Sequence, residues 1–97
     1  MTAKQLQNRA KECFNTAELI LKKRGVSMKY RARLELDKAR IVIEEYYGND
    51  WHFMCDFKFY ANGQMEYWSC GSSSWHYDFS MAKFEELMYN VGIYRVV

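Results

Sequence analysis

Apolar positions in the first 24 residues recur at spacings of three and four, so that Leu6, Ala10, Cys13, Phe14, Ala17, Ile20 and Leu21 fall on one stripe. That period predicts an amphipathic helix over residues 2–24. Thr2 is placed to cap it, Lys22, Lys23 and Arg24 complement its negative end, and Gly25 stands just beyond. From Trp51 onward the period changes to two. Residues 51–60 and 65–70 are aromatic-rich alternating segments on either side of Ala61-Asn62-Gly63-Gln64, and Asn-Gly is a strong hairpin signal. A two-residue turn there pairs Tyr60 with Met65, Phe57 with Trp68 and Cys55 with Cys70. Phe53, Cys55, Phe57, Phe59, Trp68 and Cys70 then form the core face. His52, Met54, Asp56, Lys58, Tyr60, Met65, Tyr67 and Ser69 form the other, which a helix covers unless it is a binding surface. Gly71-Ser72-Ser73-Ser74 reads as a turn into a third strand, Trp75–Phe79. Ser80 caps a short helix through Asn90 with Met81, Phe84, Leu87, Met88 and Val91 inward; Gly92 ends it, and residues 93–97 fit an edge strand.

Between these regions, residues 26–47 satisfy two periods. At period two, Val26, Met28, Tyr30, Ala32, Leu34 and Leu36 alternate with polar residues, and a return strand 40–47 sets Glu35 opposite Arg40 and Arg31 opposite Glu44. At period 3.6, Met28, Ala32, Leu36, Ala39, Val42, Ile43, Tyr46 and Tyr47 share one arc. Composition rich in Lys, Arg, Ala, Leu and Glu favours the helix, and Asp37-Lys38 is a poor hairpin turn. Bases at the start and Glu44-Glu45 at the end run against the helix dipole. The preferred reading is a helix from Ser27 to Tyr47 ended by Gly48.

The expected fold is therefore α+β in a single domain of 97 residues: an N-terminal helical pair, an antiparallel meander of three or four strands, and a short C-terminal helix on the sheet. Eight Tyr, six Phe and three Trp supply the large apolar area that so small a core needs. No apolar run approaches the ~18–20 residues of a membrane span, and no signal-peptide pattern is present. Three cysteines, Cys13, Cys55 and Cys70, are too few and odd for a disulfide framework. A reduced, cytoplasmic protein with no membrane partner is expected.

Charge is distributed very unevenly along the chain. Residues 1–40 hold eleven of the fourteen Lys and Arg and four acids, a net +7, while residues 41–97 hold three bases and eight acids, a net −5. Lys22, Lys23, Arg24, Lys29, Arg31 and Arg33 cluster around one turn, a pattern suited to phosphates or an acidic protein surface. Within it Gly25-Val26-Ser27 resembles the turn of a helix-turn-helix, which implies a basic second helix entering the major groove. Arg31 stands where that pattern wants an apolar residue, and Leu21 where it wants a small one. Tyr60 and Tyr67, on the second face of the hairpin, are candidates for stacking on bases or for a protein contact.

Other chemistry is poorly supported. His52, Cys55, Cys70 and His76 include zinc-ligand types, but His52 and Cys55 fall on opposite faces of a regular strand. Ser72, Ser73 or Ser74 with His76 and Asp78 have the residue types of acyl transfer without its spatial arrangement. No phosphate-binding glycine loop occurs, and no catalytic residue, metal or cofactor is expected. The leading expectation is a non-catalytic binding protein that masks a surface of a macromolecular partner. One form of it is a phage or mobile-element inhibitor of a host nucleic-acid-processing complex, acting in the manner of anti-CRISPR proteins on a host protein or protein–nucleic-acid complex. The alternative is a small DNA- or RNA-binding regulator that uses the basic end directly. Both require the early cations to remain gathered, exposed and apart from the later carboxylates.

Overall fold

A computed structural model of the chain describes residues 1–70 and 74–93. Helix α1 spans Ala3–Lys23. A capping box starts it: the Thr2 hydroxyl accepts from the Gln5 N–H at 3.1 Å, and the Gln5 side chain accepts from the Thr2 N–H at 2.9 Å. At its end Gly25 N–H donates to Lys22 C=O and Val26 N–H to Leu21 C=O, the pair of reversed bonds that closes a helix before a change of direction.

The chain then enters strands rather than a second helix. Strand β1 (Tyr30–Glu35) and strand β2 (Arg40–Tyr47) form an antiparallel hairpin around a single 3-10 turn at Leu36–Lys38. Glu35 faces Arg40 and Arg31 faces Glu44, the register that the period-two pattern demands. The expected helix over 27–47 is thus corrected, and with it the helical pair and the helix-turn-helix resemblance. Helix propensity gives way because Tyr30, Ile41 and Ile43 bury one side of a pleat under α1, a packing gain larger than weak intrinsic preferences. Ala39 closes the turn in the left-handed region at φ 47°, a position that no Asn or Gly marks in the sequence.

Strand β3 (Asp50–Phe59) follows through the two-residue turn Gly48-Asn49, whose residues both have positive φ as a type I′ hairpin requires. Strand β4 (Gln64–Ser69) and strand β5 (Ser74–Asp78) complete a meander in the order β1-β2-β3-β4-β5, all antiparallel. The fold is α+β as expected, with five strands rather than three or four. Helix α2 (Met81–Tyr89) is capped by Ser80, whose hydroxyl accepts from the Lys83 N–H at 3.1 Å. Residues 94–97 of the expected edge strand and the segment 71–73 lie outside the described residues.

Two local irregularities decide which residues face which way. The β3–β4 turn has three residues, with Gly63 at φ 89° and Tyr60 N–H donating to Gln64 C=O. That extra residue shifts the register by one: Cys55 faces Ser69, Phe57 faces Tyr67, and Phe59 faces Met65. Met65 and Tyr67 therefore turn inward, while Trp68 turns outward and Cys70 is exposed, reversing their expected places. The second irregularity is a bulge in the β2–β3 pairing, where Ile43 faces Cys55 but Glu44 faces Phe53, leaving Met54 unpaired. It carries Phe53 from the expected core to the opposite face.

Both helices pack on one face of the sheet. Ala10, Cys13, Ala17, Ile20 and Leu21 of α1 and Phe84 and Met88 of α2 meet Ile41, Ile43, Cys55, Phe57, Phe59 and Met65 in one continuous core. Phe57 stacks edge-on against Phe84 at 4.7 Å, and Phe59 against Phe79 at 5.8 Å. Gly92, at φ 77°, lies so close to Tyr30 that a Cβ would fall 2.3 Å from its hydroxyl oxygen. No described helix is long and apolar enough to cross a membrane.

Candidate functional site

The opposite face of the sheet has no described helix over it, and strand alternation brings a distinctive set of side chains there. One cross-strand row runs Arg33, Val42, Asp56, Trp68 and Ser74; the next runs Glu35, Arg40, Lys58, Glu66 and His76. Arg40 sits at the centre, donating to Glu35 at 2.7 Å and to Asp56 at 2.6 Å. Arg33 donates to Glu35 at 3.0 Å and lies 3.7 Å from Glu44, which accepts from Arg31 at 2.8 Å. The result is a continuous lattice of three guanidinium groups and three carboxylates. Beneath it Val42 is 1% exposed, although it belongs to this face and not to the helix-covered core.

Aromatic rings flank the lattice. Arg31 lies over the Trp51 ring at 4.3 Å, and Trp51 contacts Tyr46 at 5.2 Å. Phe53 contacts Trp68 at 5.2 Å, and the Arg40 guanidinium lies 5.9 Å from the Phe53 ring. Phe53 and Trp68 are each 36% exposed and Tyr46 is 42% exposed, so these are accessible rings and not a second core. On the far side Tyr60 donates to Glu66 at 2.6 Å, with His76 3.5 Å from the same carboxylate.

The electrostatics follow from these contacts. Hydrogen bonds from Arg40 and Arg33 hold the Glu35 carboxyl below its ordinary value, and the Tyr60 hydroxyl does the same for Glu66. The same bond, with burial second, pushes the Tyr60 phenol up to about 12. Glu35 and Glu66 are therefore ionised, and Tyr60 protonated, at neutral pH.

The eight residues singled out from the sequence divide among several places. Lys22 and Lys23 are exposed at the end of α1 and make no ion pair among the described residues. Arg24 turns inward and donates to Met88 C=O at 2.9 Å and Val91 C=O at 2.6 Å, closing the negative end of α2. Lys29 lies 3.7 Å from Glu45, while Arg31 and Arg33 belong to the lattice. The expected free cationic cluster is thus corrected: four of its six members are held by carboxylates or carbonyls, because β1 runs alongside the acid-rich β2. Tyr60 and Tyr67 do not share a face, since the shifted register turns Tyr67 against Phe57 at 4.9 Å. Trp51, Phe53, Trp68 and Arg40 emerge as surface residues that the sequence reading missed. A three-residue turn with glycine last was one signal for Trp68; nothing in the sequence marks the bulge that exposes Phe53.

Elsewhere, burial pushes the Cys13 and Cys55 thiols up to about 12, which makes them packing groups. Among the described residues no three His, Cys, Asp or Glu side chains gather as a metal site would require. Ser74, His76 and Asp78 lie two apart along one strand, and Ser72 and Ser73 lie outside the described residues. A cavity of about 330 Å³ on the helix side is lined by Glu45, Met54, Tyr67, Asn90 and others, its one carboxylate already engaged by Lys29. Comparison with protein-family models, curated proteins and solved structures found no match for this chain.

Proposed function

We propose that this protein is a non-catalytic binding module that masks a surface of a macromolecular partner, using the open face of its sheet in place of the free cationic cluster on which the sequence-based expectation rested and which the fold does not keep. The supporting observation is the pairing of accessible rings with fixed guanidinium groups: Trp51, Phe53 and Trp68 beside Arg31, Arg33 and Arg40. Trp, Tyr and Arg are the residue types that carry most binding energy at protein interfaces. Arginines already fastened by Glu35, Glu44 and Asp56 lose less freedom when a partner arrives. Because each is balanced locally, the face favours a protein, or the protein part of a protein–nucleic-acid complex, over bare phosphate. Blocking a host nucleic-acid-processing complex is one use of such a surface.

Direct binding of DNA or RNA keeps one supporting feature: Lys4, Lys11, Lys22 and Lys23 are exposed on α1 and have no ion pair among the described residues. The two readings separate by mutagenesis. Tagged protein is used to capture partners from a host extract, comparing the native chain with Trp51→Ala/Trp68→Ala and with Lys22→Glu/Lys23→Glu. The leading reading requires capture that the aromatic pair abolishes and the lysine pair spares. A low-salt mobility shift that only the lysine pair abolishes establishes the second reading instead.

A further inference from the structure

The two edges of the sheet are built differently. Edge strand β1 and its approach carry Lys29, Arg31 and Arg33, and charged side chains on an edge discourage another strand from adding to it. Edge strand β5 reads Ser-Trp-His-Tyr-Asp, with no Lys, Arg or Pro, and its Trp75 is 55% exposed. No described strand pairs with its outer side. Such an aromatic, weakly charged edge segment is a template for strand addition.

Hydrogen-bond parity specifies what fits there. Phe79 N–H donates to Gly63 C=O directly opposite, so in the β4–β5 register Tyr77 and Trp75 also bond inward, to Met65 and Tyr67. Ser74, His76 and Asp78 therefore turn their main-chain N–H and C=O groups outward. That outward set is symmetric about His76. An antiparallel copy of the same strand, related by a two-fold axis at His76, places His76 opposite His76 and Ser74 opposite Asp78, each as a hydrogen-bonded pair. Trp75 then faces Tyr77 of the other copy twice, at the non-hydrogen-bonded positions where side chains approach most closely. Each exposed indole gains an aromatic neighbour.

We propose that β5 is a self-association edge, at which a second copy of this chain pairs antiparallel with the first and joins two five-stranded sheets into one. Both open faces then lie on the same side of the dimer, because a two-fold axis perpendicular to a sheet preserves its faces. The proposal is independent of what the open face binds.

Light scattering and sedimentation of the full chain, across a dilution series under reducing conditions because Cys70 is exposed, test it. The native protein is expected to show twice the monomer mass and to dissociate on dilution. His76→Pro removes one outward N–H and none of the main-chain bonds to β4, the His76–Glu66 side-chain contact aside, so it is expected to weaken association by at least about ten-fold with an unchanged circular dichroism spectrum. Trp75→Lys introduces an edge charge without altering the backbone, is expected to give a similar loss, and decides the matter if the proline variant fails to fold. A native protein that stays monomeric throughout the series, or a dimer that survives in a folded variant, overturns the proposal.

Discussion

The two faces of the sheet come from alternate residues of the same strands, yet they are held by different forces. Under the helices, Ile41, Ile43, Phe57, Phe59 and Met65 are essentially removed from water and packed against Phe84 and Met88. On the open side, Val42 is the one comparably buried residue in these rows, and what covers it is a lattice of arginines and carboxylates. The difference shows what became of the charge imbalance along the chain. The net +7 before residue 41 is divided: Lys4, Lys11, Lys22 and Lys23 stay exposed on α1 without an ion pair among the described residues, while Lys29, Arg31 and Arg33 meet acids of the −5 segment that follows. The hairpin folds the chain back across that boundary, so strand neighbours cancel each other one pair at a time. Within the β1–β2 hairpin, cross-strand placement turned the sequence asymmetry into local neutrality.

The comparison is tested most severely by truncating one aromatic on each side. Phe57→Ala empties a fully buried site between Tyr67 and Phe84 and is expected to cost about 3–5 kcal/mol of folding stability. Phe53→Ala removes a ring 36% exposed, whose main partner is Trp68, and is expected to cost about 1 kcal/mol. Urea unfolding of the two variants measures both. Equal losses would mean that the open face is a second core rather than a surface.

Arg40→Ala addresses the lattice itself and has the next largest effect. It leaves Glu35 and Asp56, which share this guanidinium, facing each other without their common donor. About 1–2 kcal/mol is expected at neutral pH, partial solvent access keeping it below the loss for a fully buried pair. The sign of the pH dependence follows from Glu35, whose folded pKa is depressed. Its contribution is present above the ordinary value of 4.5 and is lost as pH falls through the lower folded value. The gap between native protein and variant should therefore close in acid. A gap that does not narrow at all as pH falls below the ordinary carboxyl value would assign the loss to packing of the arginine stem instead.

What the sequence revealed depended on how local the determining physics was. The α1 stripe, its Thr2 cap, the Ser80 cap and the inward residues of α2 were all legible, because helix period and capping act within a few residues. Residues 26–47 were not, since both periods fit and only the acid-rich return strand and the helix above decide between them. The face assignments turned on single-residue events. One more residue in the Gly63 turn inverted β4, and one bulge residue, Met54, moved Phe53. Period-two patterns carry no tolerance for such shifts, so the open face could not be read before the register was known. Arg24 shows the same limit for charge: a basic residue at a helix end reads as a surface cation until a second helix end arrives to use it.

The smallest effect, and the finest probe of the open face, belongs to the Tyr60–Glu66 bond. The phenol donates to an ionised carboxylate at 2.6 Å, which lowers the pKa of Glu66 and raises that of Tyr60 to about 12. The two shifts bracket a plateau. The depressed Glu66 stabilises the fold above its ordinary 4.5 and loses that contribution as pH falls, whereas the raised Tyr60 stabilises it below its ordinary 10.0 and loses that contribution as pH rises toward 12. Glu66→Gln keeps the shape and a carbonyl acceptor but removes the charge. Folding stability should change by less than about 1 kcal/mol at neutral pH, as for other solvent-accessible pairs. Ultraviolet titration should nevertheless show one tyrosine moving back toward its ordinary value of 10.0, with the Phe57 core unaffected. A tyrosine titration curve identical to that of the native protein would show that the bond does not persist in solution, leaving Tyr60 free on the face opposite the helices.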